Sequence, residues 1–200
     1  RNVVALQEAK SHFKGLIDIQ LVALTISPMT GPEGAGNRAA LADAIEAGVD
    51  LVQVNLGKNS SWDTHRRNFP NLKENLLPHL DKCMAALLDD MSENGLLDET
   101  LVIMTGEFGR TPKINAKGGR DHWGNLCTLA FAGGGLKMGQ VVGASNKTVS
   151  EPARDQVSSN MLLGTVMHTL LDIPNLRLRT NLPDDIQRVI TNSRPIPQLI

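Results

Sequence analysis

Six residues of this chain combine useful chemistry with close spacing. They are Asp63 and His65 in "SWDTH", Glu107 and Arg110 in "GEFGRTP", and Asp121 and His122 in "GRDHW". Carboxylate and imidazole together form the donor set of a divalent metal with a catalytic task, whereas structural metal sites are built mostly from cysteine. Asp63 and His65 lie two apart, so in an extended loop they point the same way and reach one ion. Gly106 and Gly109 flank Glu107 and let backbone approach a ligand, and Arg110 offers a planar donor fork suited to phosphate or sulfate. Each residue also has a plainer role open to it. Arg110 can pair with Glu107 across a turn, Asp63 can cap a helix, and loops hold many charged residues with no chemical task. Their gathering in three loops that each follow an apolar run is what favours chemistry.

The elements that must position these loops are read from periodicity. "NRAALADAIEAG", residues 37–48, is an Ala-rich helix stopped by Gly48, and Val49 to Leu56 has the β-branched content of a strand. Leu72, Leu76, Leu80, Met84, Leu87 and Met91 recur at helical spacing, with a kink or restart expected at Pro78. "TLVIMTG" and "CTLAFAGGG" read as buried strands. A long helix between strands implies a right-handed crossover, so the strands flanking it should be parallel neighbours or near-neighbours. "GLKMGQVVGAS" reads as a small hairpin arm, "SSNMLLGTVMHTLL" as a serine-capped helix, and residues 173–200 as an irregular tail. Ligands of such sheets bind outside the carboxyl ends of the strands, which is where "SSWDTH" and "GEFGRTP" fall.

Composition removes several function classes. Twenty Lys plus Arg against twenty-one Asp plus Glu give a net charge of −1 with the signs interspersed, which excludes a nucleic-acid partner. No apolar run reaches the roughly 18 residues of a membrane span, and the first residues lack the apolar stretch of a signal peptide. Cys83 and Cys127 read as buried thiols without metal spacing. His12 and His79 have no companion at ligand spacing, and His168 falls within a helix as a packing residue. Trp62 and Trp123, beside the candidate ligands, either wall the site or anchor the core. "AGGGLKMG" lacks the Lys-Ser or Lys-Thr pair of a phosphate loop.

The ordered set "SWDTHRRNF", "LDDMSENGLLDETLVIMTGEFGRTPKIN", "GRDHW" and "AGGGLKMGQVVGAS" resembles the bacterial family catalogued as domain of unknown function 1501, over roughly residues 38–172. That family is placed in the alkaline phosphatase-like superfamily of phosphatases, sulfatases and phosphomutases. The resemblance implies an α/β fold, a three-layer α/β/α sandwich with a mostly parallel sheet, of which residues 1–200 would be a single domain lacking its N-terminal part. It implies two divalent metals (zinc, manganese, magnesium or calcium) held by Asp63, His65, Glu107 and His122, with Arg110 orienting the anionic group. The substrate would be a small-molecule or polymer-borne phosphate or sulfate ester, and the compartment exported or periplasmic. Two departures stand out: Phe108 replaces the histidine expected after the second acid, and no N-terminal strand with an acid and a hydroxyl nucleophile is read. The chain is therefore expected to supply the C-terminal half of a metal-dependent hydrolase. The alternative is a non-catalytic surface or binding protein that keeps the fold.

Overall fold

The structure, a computed structural model, describes residues 60–200 together with the strands β1 (Gln20–Thr25) and β2 (Leu51–Asn55). The helix expected at 37–48 and His12 lie outside the described residues. After β2 come a short helix α1 (Asn68–Asn71), a π-helical segment (Leu72–Leu76) and the long helix α2 (Leu77–Glu93). Pro78 stands in the first turn of α2 and lacks a backbone N–H. The helix widens just before it, with the Leu77 N–H donating to Leu72 O, five residues back. The expected kink thus takes the form of a π turn.

Four strands form the main sheet in the order β2, β1, β3 (Thr100–Thr105), β6 (Ala130–Gly133). β1 runs parallel to both neighbours, pairing Thr25 with Asn55 on one side and with Thr105 on the other. The loops after β2 and β3 therefore leave from the same edge. Leu101, Val102 and Ile103 of β3 are all buried. Val102 packs with Leu87 and Met91 of α2, and Leu101 and Ile103 pack with Leu162, Val166 and Leu170 of helix α3 (Ser159–Leu170). Alternate side chains of one strand thus bind helices on opposite faces, each buried side chain worth about 1.5–3 kcal/mol.

The mostly parallel α/β/α sandwich expected from the sequence is not what forms. Of the five strand pairings among the described residues three are antiparallel: β3 with β6, β4 (Gly109–Arg110) with β5 (His122–Trp123), and β7 (Ala144–Ser145) with β8 (Pro152–Arg154). Two of the three sheets are two-stranded antiparallel ribbons. The reason lies between β3 and β6: that connection holds the β4–β5 ribbon and no helix, so nothing carries the chain back for a parallel return. The centre of the sheet is held by β1, an element the reading of the sequence did not assign.

Three further readings change. The hairpin arm exists, but it pairs Ala144–Ser145 with Pro152–Arg154 and so begins where the quoted stretch ends. Residues 173–200 are not an irregular tail. They form α4 (Ile173–Leu176) and α5 (Asp184–Asn192), and Ile173, Leu176 and Ile190 make a core cluster of their own. Ile196 is held against α3 by a bond from its N–H to the buried Thr165 hydroxyl, 2.9 Å. Both cysteines are free, Cys83 half-buried and Cys127 exposed, so the buried-thiol reading fails for Cys127. No helix among the described residues is long and apolar enough to cross a membrane.

Candidate metal centre

Three segments build the site: the turn at 60–66 after β2, the β4–β5 ribbon after β3, and the loop at 111–121 between the ribbon strands. The first is a tight turn, with Asp63 N–H bonded to Ser60 O, Thr64 N–H to Trp62 O and His65 N–H to Asp63 O. Asp63 and His65 are therefore not an extended pair as expected, yet Asp63 Oδ1 and His65 Nε2 lie 3.1 Å apart. Asp63 does not cap a helix either, because α1 starts after Arg67. On the ribbon Arg110 stands directly opposite His122. Paired side chains of an antiparallel ribbon share a face, and both reach Asp63 Oδ1, Arg110 Nη1 at 2.7 Å and His122 Nε2 at 2.8 Å.

Backbone contacts lock the segments together. Arg120 N–H donates to Thr64 O at 3.1 Å, Asn68 N–H donates to Gly118 O at 2.9 Å, and Arg66 bridges Gly118. Gly119 is buried directly against the His65 peptide, where any Cβ would overlap its carbonyl, and a Cβ on Gly109 would overlap the Leu126 carbonyl. These two glycines are required by close approach of backbone.

Asp63 Oδ1, His65 Nε2 and His122 Nε2 form a triangle with sides of 3.1, 3.2 and 2.8 Å. A circle through three such atoms has a radius of about 1.8 Å, so a point about 2 Å from all three exists just off their plane, at ordinary ligand distance for a metal. Three donors on one face, two nitrogens and one oxygen, suit a transition-metal ion with open positions. His65 Nδ1 lies 2.6 Å from Asp121 Oδ1. A carboxylate accepts only, so Nδ1 carries the proton and Nε2 turns its lone pair towards Asp63 and His122. A lone pair facing a carboxylate oxygen is satisfied by a cation between them or by a second proton on the ring.

Electrostatics agree with an ionised site. Burial works against the Asp63 carboxylate, but hydrogen bonds from His122 and Arg110, with the nearby positive charge, outweigh it and hold its pKa below the ordinary 3.8. Asp121 is also held below its ordinary value, first by its bond with His65 and then by Asn115. Phe108 covers one side of His122, ring centres 4.3 Å apart.

Asp63, His65 and His122 thus come together as the sequence suggested. Glu107 is exposed between β3 and β4 and is not one of the three clustered donors. It precedes Phe108 and so belongs to the same edge. The ion pair of Arg110 is with Asp63, and its Nη2 donates to Trp62 O at 3.0 Å. Trp123 anchors outward, its indole N–H bonded to Ser150 O. His79 is exposed beside Asn75 O, and His168 is half-buried in α3. Sequence reasoning missed Asn115. Its Nδ2 donates to Asp121 Oδ1 and to His65 O, and its Oδ1 accepts from the N–H groups of Lys117 and Gly119. The available signal was "NAKGG", an Asn that closes its own turn.

The chain matches the family described as "Protein of unknown function (DUF1501)" over residues 5–200, and it belongs to that family. No curated protein matches it.

Proposed function

We propose, with membership of this family as the premise, that the chain carries a metal centre of an alkaline phosphatase-like hydrolase acting on a phosphate or sulfate ester. The observation that supports this most is the triangle of Asp63, His65 and His122 donors, with His65 oriented by Asp121. A divalent ion held there would polarise an ester oxygen and offset charge as the leaving group departs. Two imidazoles and one carboxylate favour zinc or manganese over magnesium or calcium, which prefer all-oxygen shells.

The chain's own residues supply the rest. Asp121 fixes the His65 ring and its tautomer, and Asn115 fixes Asp121. Arg110 holds Asp63 in place and puts a fixed positive charge beside the position of an anionic ester. Phe108 keeps water from one side of His122. Glu107, just past the carboxyl end of β3, is the residue to which the family resemblance assigns the second ion.

The test uses the protein that contains this chain. After loading with zinc or manganese and desalting, it should retain metal and hydrolyse an aryl phosphate or an aryl sulfate, and His65→Ala and His122→Ala should lose both properties. Metal content equal in parent and variants would sink the reading. One observation favours the alternative, a non-catalytic binding protein: Arg110 already neutralises Asp63 at 2.7 Å without any metal. That alternative allows at most one structural ion and predicts no turnover.

A further inference from the structure

A cavity of about 850 Å³ opens near the C-terminal end of the described chain, lined by residues of α3, α4, the loop from α4 to α5, α5 itself and the segment that follows. Its volume lies within the range of small-molecule sites. The charge in it is one-sided. Arg177, Arg179 and Arg194 line it together with His168, and no Asp or Glu does. Among the described residues none of these three arginines is in an ion pair, in contrast to Arg110 with its Asp63 partner. Arg177 is fixed by a bond from Nη2 to Ile190 O at 3.3 Å. Burial, and then the charge of Arg177, hold the His168 pKa below its ordinary 6.5. The positive field therefore comes from guanidinium groups that do not titrate. Leu182, Pro195, Pro197 and Ile200 give the same cavity an apolar wall, backed by the buried Leu176 and Ile190.

Arginines gathered in one cavity whose lining holds no Asp or Glu suit a planar or tetrahedral oxyanion, which can take several charge-assisted hydrogen bonds. An apolar wall beside them rewards an organic body attached to the anion. We propose that this cavity binds a small organic oxyanion, with a phosphate, sulfate or carboxylate head among Arg177, Arg179 and Arg194 and an apolar body against Leu182, Pro195 and Ile200. It shares no residue with the Asp63, His65 and His122 cluster. The proposal stands whether or not that cluster holds a metal.

The experiment is calorimetric titration of the whole protein, in EDTA so that the metal centre is silent, with phenylphosphonate, benzenesulfonate and benzoate as separate probes and benzyl alcohol as the neutral control. At least one anion should bind while benzyl alcohol does not, and added salt should weaken the binding. The three arms show which head group is preferred. Arg179→Gln and Arg194→Gln should each weaken binding about tenfold, Arg179→Lys should retain most of it, and His122→Ala should leave it unchanged. Circular dichroism melts establish that the variants fold. Should the glutamine variants fail to fold, the salt dependence and the Arg179→Lys titration decide. The proposal is overturned if none of the three anions binds at millimolar concentration, if benzyl alcohol binds equally well, if binding is indifferent to salt, or if it is lost in His122→Ala and kept in the folded arginine variants.

Discussion

Gly119→Ala should break the metal centre without touching a donor. A Cβ there would overlap the His65 carbonyl and lie 2.5 Å from the Arg66 nitrogen. Atoms in ordinary contact stand about 3.5 Å apart, and the His65 carbonyl is the nearest obstacle, so the two segments must separate by roughly 1.5 Å. Four hydrogen bonds to backbone cross that seam: Arg120 N–H to Thr64 O at 3.1 Å, Asn115 Nδ2 to His65 O at 3.1 Å, Asn68 N–H to Gly118 O at 2.9 Å, and Arg67 N–H to Lys117 O at 3.2 Å. Lengthened by that amount they pass out of range, and at about 1 kcal/mol each the loss is about 4 kcal/mol. Gly119 is not among the positive-φ glycines, so the effect is steric. Gly124→Ala is the control, because nothing lies within 4 Å of its Cβ position; it should stay within about 0.5 kcal/mol of the parent. The assay is urea denaturation of both variants in EDTA, followed by metal retention, which should fall only in Gly119→Ala. Equal midpoints for the two variants would refute the close approach of the segments, and with it the account of how the site is assembled.

Asp121→Asn removes the charge that orients His65 but keeps the shape. Metal affinity measured against a competing chelator should drop about 10- to 100-fold, while the metal-free melt stays near the parent; an unchanged affinity would detach Asp121 from the centre. The acid limb of stability offers a second check. Asp63 and Asp121 both titrate below 3.8 in the folded chain. As pH falls the unfolded chain takes up their protons first, so their contribution is complete above 3.8 and is lost as pH drops through the lower folded values. Denaturant midpoints followed from about pH 6 to about pH 3 should fall less steeply in Asp63→Asn than in the parent, and parallel curves would contradict this.

Much of the framework was legible because burial imposes periodicity. The run "TLVIMT" and the leucine spacing of α2 each carry one pattern, and each forms the element that pattern dictates. The direction of β6 was not legible, since its residues look alike whichever way the strand runs and only the missing crossover helix decides. β1 leaves a signal of its own, the short apolar run "QLVALT", but nothing beside it marks its place at the centre of the sheet. The C-terminal residues read as irregular because Pro and Asn mask a widely spaced apolar set, Ile173, Leu176, Ile190, Ile196 and Leu199. At the site the donor types of Asp63, His65 and His122 were readable from their chemistry. Their convergence depends on Gly119 and on the bonds of Asn115, and both of those residues look like ordinary turn formers in the sequence.

The central position of β1 carries a consequence for how the chain folds. Leu21 is paired with Leu51 on one side and with Leu101 on the other, so among the described residues β1 is what joins β2 to β3 in the sheet. The β3–β6 pair and its flanking helices are joined by shorter connections and can gather early, but β1 must close a much longer loop before its pairing with β3 repays the lost entropy. Until then the apolar β3 offers one open edge, a template for another chain. Refolding should therefore show a slow, concentration-sensitive phase that ends when β1 docks, and the yield of native protein will be set by how fast that strand arrives.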